Sequence, residues 1–230
     1  MIRLIPVALL LAIELLIFYQ VNPAFAYPFR GLIHLYIAYW YYSARKSVLT
    51  LTDRLFIVSC LIPAFTPIPI FLFGFTWGTL VEVVLLLVSY QLLIKIYRLE
   101  GARIKLTNNL RTFIRVVVPF VLFPLVYFVI SIFNIHRYDV VLILSVYLLQ
   151  IMYMSVLSAY LPFEEKSKLS ITMGMFFIMF ASGTSFHRVY ITPFAFDYGI
   201  VRIAANLGRI LLVTGLLNRA YRKPVFGRRN

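Results

Sequence analysis

At 230 residues, with 62% hydrophobic residues against 13% charged and a mean hydropathy of +0.91, the chain is too apolar for a water-soluble domain, whose apolar share is about 45–50%. The formal charge of +14 would suggest nucleic acid in a soluble protein, but the basic residues fall in short loops between apolar runs, where positive charge sets membrane orientation; no nucleic-acid partner is expected. A single cysteine, Cys60, inside an apolar run excludes an intrachain disulfide and a cysteine-based metal site.

The fold class this implies is all-α, a single polytopic transmembrane domain over residues 1–230 in contact with membrane lipids. Eight apolar runs approach the ~20 residues that a helix needs to cross a hydrocarbon core. They lie at about 4–20, 31–43, 55–73, 77–94, 116–133, 140–161, 171–187 and 202–218. The first, with Arg3 before it and Ala24-Phe25-Ala26 after it, has the outline of a cleaved signal peptide over residues 1–26. Glu14, in the middle of the apolar stretch, argues for a retained helix. The second is short unless Tyr27 to Arg30 and Ala44 extend it. The third carries Pro63, Pro67 and Pro69 and is expected to kink or break.

Basic residues orient the spans. Seventeen fall at the N-terminus, after helices two, four and six, and in the tail: Arg3; Arg45, Lys46 and Arg54; Lys95, Arg98, Arg103, Lys105, Arg111 and Arg115; Lys166 and Lys168; Arg219, Arg222, Lys223, Arg228 and Arg229. The opposite loops hold four, Arg30, Arg137, Arg188 and Arg202, and Arg209 is left inside helix eight. Both termini are therefore predicted to be cytoplasmic. The loops at 45–54 and 95–115 are both strongly basic and belong on one side, so the proline-bearing segment between them must cross twice with helix four. The basic tail reads as an anchor to anionic headgroups.

Ionisable groups inside a membrane are costly, and each invites a functional reading. Glu14 lies near the middle of helix one and Glu82 in the outer half of helix four; His34 and His187 lie toward the outer ends of helices two and seven. A polar pocket open to the outer leaflet is predicted from Arg30, His34, Glu82, Ser182, Ser185 and His187. Simpler readings stand beside it. Glu82 can be protonated or hydrogen-bonded to a neighbouring helix, His187 can mark the membrane surface, and Ser182-Gly183-Thr184-Ser185 can be a small-residue packing face. Tyr36 to Tyr42 reads as an aromatic belt.

Several chemistries are set aside. Three histidines with no ligand-pair spacing do not furnish a di-iron centre, and neither His-Glu-x-x-His, Gly-x-Ser-x-Gly nor a P-loop occurs; no metal or cofactor is expected. Ser182 and His187, five residues apart on one helix, project about 140° apart and do not form a nucleophile–base pair.

Gly174 followed by an apolar run into Ala181-Ser182-Gly183, then Pro193-Phe194 and a last helix with Asn206-Leu207-Gly208, resembles the YhhN family of lysoplasmalogenase-like membrane proteins. The resemblance covers most of the chain in outline and implies eight spans with both ends inside a bacterial cytoplasmic membrane. It also implies hydrolysis of the vinyl ether bond of lysoplasmalogens by intramembrane aspartates. Family members carry Gly-Asp in helix three and Ser-Asp in helix seven, and a His-Tyr near the end of helix four. Here helix three reads Ser59-Cys60-Leu61-Ile62-Pro63-Ala64-Phe65, helix seven reads Ser182-Gly183, and the helix-four position reads Ser89-Tyr90-Gln91. Vinyl ether hydrolysis needs a proton donor to carbon and a group that activates water, a task for two carboxyls of separated pKa. Either the catalytic site has moved to Glu82 with His187, or the hydrolase activity is gone. The expectation is thus a divergent YhhN-like protein that binds or hydrolyses a lysolipid-like amphiphile. Its rivals are a non-enzymatic scaffold or partner subunit using the small-residue face of helix seven, and a small-solute carrier. Oligomeric state is left open.

Overall fold

A computed structural model of the chain describes residues 2–104, 114, 116–133, 135 and 137–219. Every regular element in them is helical: α1 (Ile5–Gln20), α2 (Pro23–Arg45), α3 (Leu51–Leu61), α4 (Pro67–Leu99), α5 (Phe123–Ile132), α6 (Tyr138–Ala159), α7 (Glu165–Tyr190) and α8 (Asp197–Leu217). Five segments are long and apolar enough to cross a membrane: Leu51–Ile70, Trp77–Leu99, Tyr138–Ala159, Glu165–Tyr190 and Asp197–Leu217. Ile5–Gln20 and Val118–Ile132 are shorter apolar helices. The basic residues Lys105, Arg111, Arg115, Arg222, Lys223, Arg228 and Arg229, and the third histidine, His136, lie outside the described residues.

Local chemistry explains the element boundaries. Asn22 caps α2, its Oδ1 accepting the Ala24 N–H at 2.9 Å, with Pro23 supplying the fixed φ of a first helical residue. The helix thus starts eight residues before the predicted start at 31 and absorbs Arg30 into its second turn. Thr50 and Asp53 form a reciprocal capping box at the start of α3. The predicted helix 55–73 breaks where its prolines fall. α3 ends at Leu61, a 3-10 turn runs over Ile62–Phe65, and Pro67 opens α4. The limb 67–73 then turns back at Gly74, whose φ of 72° is open to glycine, and lies against the rest of α4. A Cβ on Gly78 would sit 2.5 Å from the Ile70 Cα, so only glycine permits this hairpin. Pro119 and Pro124 frame a π-turn, Val118–Leu122, at the head of α5.

The motifs that carry the family resemblance meet in space. α7 and α8 form the most extensive helix pair, and Gly174 faces Gly208, where a Cβ on either would come 2.7 Å from the other's carbonyl oxygen. Ser167 donates to the Gly215 carbonyl at 2.5 Å, and Ser170 to the Leu211 carbonyl at 2.9 Å. This is close backbone packing of the kind that joins helices in lipid. Gly183 has open space where its Cβ would be. The Ser182–Ser185 stretch borders a void, and the packing face lies two turns earlier.

The main core joins α2, α3, α4, α6, α7 and α8 around Tyr41, Phe56, Tyr97, Ile151, Met154 and Met175. A smaller apolar cluster, Leu80, Phe128, Val140 and Leu144, lies among α4, α5 and α6. Between them the bundle opens. Outward-facing Leu9, Leu16, Leu72, Ile130, Leu142 and Leu149 leave an apolar exterior.

Candidate functional site

The opening is a cavity of about 640 Å³. All six residues singled out from the sequence line it: Arg30 and His34 from α2, Glu82 from α4, and Ser182, Ser185 and His187 from α7. Its two sides differ in chemistry. α2 and α8 contribute Arg30, His34, Arg202 and Arg209, whereas α5 and α6 contribute Phe123, Phe128, Leu144, Leu148 and Ile151, with Phe176 and Phe180 of α7. The polar residues reach from one end of the bundle, at Arg30, Glu82, His187 and Arg188, to Arg209 in the middle of α8.

The two residues assigned to catalysis are engaged with other partners. Glu82 forms an ion pair with Arg30, each side chain less than one-fifth exposed. His187 Nδ1 and the Tyr127 hydroxyl share a hydrogen bond at 2.6 Å. Glu82 is therefore engaged by a guanidinium rather than left free to face a substrate. Ser182 is tied separately. It donates to the Ile178 carbonyl at 2.9 Å and lies 2.8 Å from the Tyr147 hydroxyl, which in turn lies 3.2 Å from that of Tyr90. Because a carbonyl only accepts, this row of hydroxyls donates in one sense, from Tyr90 through Tyr147 and Ser182 to Ile178. Ser182 and His187 thus have different partners, in keeping with their angular separation on the helix.

Glu14 is fully buried outside the cavity lining and holds the cavity from behind. It accepts from Arg202 Nε at 2.5 Å, from Arg202 Nη2 at 3.1 Å and from the Tyr198 hydroxyl at 2.6 Å. Arg202, expected in an outer loop, belongs to the second turn of α8 and is only 3% exposed, because that helix starts at Asp197. Arg188 pairs with Asp197 at 3.3 Å and lies over the Tyr198 ring. Each of these three cavity arginines thus has a carboxylate.

Arg209 differs. Among the described residues no carboxylate pairs with it, and its Nε is buried without a hydrogen-bond partner. An arginine at mid-helix in lipid costs on the order of 2.5–3.5 kcal/mol on insertion scales. His34, 1% exposed and also lining the cavity, likewise has a buried Nδ1 without a partner. In the sequence Arg209 stands only as a charge left over inside the last apolar run. Its spacing carried the missed signal, since Arg202, Asn206 and Arg209 stand at i, i+4 and i+7, one face of a helix. Tyr127 and Tyr147 were also missed, and a tyrosine in an apolar run gives no such signal.

The described residues contain no group of histidines, cysteines and carboxylates placed to hold a metal ion. The arrangement is suited to holding a molecule with one apolar side and one side that meets cations and hydroxyls. No protein-family profile, curated protein or solved structure matches this chain.

Proposed function

We propose that the chain is a divergent YhhN-like protein of a bacterial cytoplasmic membrane, with eight spans and both termini inside, whose cavity binds a lysolipid-like amphiphile without hydrolysing it. The observation that carries the reading is a cavity whose lining joins cationic residues, Arg30, His34, Arg202 and Arg209, to apolar ones, Phe123, Phe128, Leu144, Leu148 and Phe176. A single-chain lipid has that same division between chain and headgroup. The engagement of Glu82 by Arg30 favours binding over hydrolysis. The topology is supported by the meeting of Arg45, Asp53, Glu100 and Arg219, all from segments expected inside, in one ion cluster.

The test uses full-length protein in nanodiscs, incubated with a lysoplasmalogen and with its saturated lysolipid counterpart. Both are expected to be retained in native mass spectra, with no fatty aldehyde released. Retention of neither would overturn the binding reading. Aldehyde release that disappears in Glu82→Gln would restore the hydrolase. A reporter fused to the C-terminus should give a cytoplasmic signal, and an external signal would refute the topology.

A further inference from the structure

We infer that the deep end of the cavity is an oxyanion site centred on Arg209, so that the bound molecule carries a phosphate or carboxylate that passes the cavity's entrance charges and docks at mid-membrane. The inference deepens the amphiphile reading and rests on it for the identity of the chain that fills the apolar side.

The charges in and behind the cavity do not cancel. Arg30 is matched by Glu82, Arg188 by Asp197 and Arg202 by Glu14, which leaves Arg209 as the surplus cation. Among the described residues nothing pairs with it, although it lines the cavity from the middle of α8. An arginine in that position needs an anion or water for its five N–H donors, and the cavity is the route by which either arrives. One further group supports an anion over water alone. His34 stands within electrostatic reach of Arg209 and presents a buried, unpartnered Nδ1. Tyr90 and Tyr147 line the same void, their protons held in the row that ends on the Ile178 carbonyl, and so add polarity without a free donor. Guanidinium and imidazole are the groups here that can meet an oxyanion. The carboxylates of this region, Glu14, Glu82 and Asp197, are each already held by another arginine, so none of them competes for the site.

Two sources of oxyanion share this chemistry, the headgroup of an amphiphile and a free anion, and the experiment separates them. Wild type, Arg209→Gln and Arg209→Lys are compared in nanodiscs of zwitterionic lipid, with monodispersity and thermal unfolding checked first. The probes are oleoyl lysophosphatidic acid, the uncharged monooleoylglycerol with the same chain, and inorganic phosphate. Wild type should bind the phosphate-bearing lipid at least about tenfold more tightly than the uncharged one, as expected for charge-assisted hydrogen bonds. Arg209→Gln should erase that difference and leave monooleoylglycerol binding within about twofold, while Arg209→Lys should keep most of it. An unchanged preference in Arg209→Gln overturns the anion site. So does equal binding of the two lipids by wild type, which leaves the amphiphile reading standing. Phosphate binding that depends on Arg209, with neither lipid bound, supports the anion site with a free anion as its source and removes the amphiphile reading. Binding of none of the three removes both. Should Arg209→Gln fail to fold, the comparison of the two lipids on wild type, with phosphate as competitor, still decides: displacement of the phosphate-bearing lipid alone supports the site, and displacement of neither or both overturns it.

Discussion

The two ends of this bundle handle buried charge in opposite ways. At one end, Asp53 accepts from Tyr41 at 2.6 Å, from the Thr50 hydroxyl at 2.8 Å and from Arg219 at 3.1 Å, and pairs with Arg45 at 3.2 Å. Arg219 also reaches Glu100 at 3.0 Å. Two carboxylates meet two guanidinium groups, and the cluster closes α2, α3, the end of α4 and the residue just beyond α8 onto one another. At the other end, three matched pairs surround a void and a fourth arginine faces into it. The first arrangement is complete in the protein alone and serves as a fastening. The second is one anion short among the described residues, and that shortfall is what the proposed anion site rests on.

Breaking the balance should have consequences that rank accordingly. The largest is expected for Glu14→Ala, which would give the cavity a second unmatched guanidinium. Removing one member of a fully buried pair costs about 3–5 kcal/mol, read as a loss of stability in denaturant titrations of the detergent-solubilised protein. The double change Glu14→Gln with Arg202→Met should recover most of it, because a pair replaced by apolar groups is close to neutral. Next comes Asp53→Asn, which strips the fastening of its shared acceptor. Arg45 is 24% exposed and keeps some access to water, so the loss should be smaller, about 2–3 kcal/mol by the same titration. Gly208→Val tests a region without charge. Its side chain would meet the Gly174 carbonyl and Ile178, and the overpacking should cost about 1–3 kcal/mol while leaving lipid preference intact. The smallest effect has the opposite sign. Arg209→Met in ligand-free protein should raise stability by about 1 kcal/mol, since it removes a charge with no partner. A loss there as large as that of Glu14→Ala would mean that Arg209 is a fastening too, and the contrast between the two ends would fall.

How much of this was legible beforehand depends on the physical signal each feature leaves. Helix positions were readable because bilayer thickness imposes a length on apolar runs. The break at Pro63 and Pro67 was readable because proline removes a donor. The early start of α2 was hidden, since Asn22, Pro23 and Pro28 look like loop residues until the cap is seen. The six polar residues of the pocket stood out because they are out of place in lipid, and all six line one cavity. Their partners did not stand out. Nothing in sequence pairs Arg30 with Glu82 or Arg202 with Glu14, because those contacts join residues 52 and 188 positions apart. Of the residues on which the family likeness rests, Gly174 and Gly208 account for how α7 and α8 pack, whereas Ala181, Ser182, Gly183 and Phe194 line the cavity. Gly183, beside Ser182, was noted for lacking an acid; its own contribution is the open space it leaves.

The bond between Glu14 and Arg202 also sets a timetable. Glu14 belongs to α1 and its partner to α8, made 188 residues later. At ordinary synthesis rates of about 5–20 residues per second that is an interval of roughly 10–40 s. During it Glu14 lacks the two side chains that hydrogen-bond it in the finished fold, Tyr198 and Arg202. The contact that finishes the cavity wall is therefore one that forms only after α8 has been made.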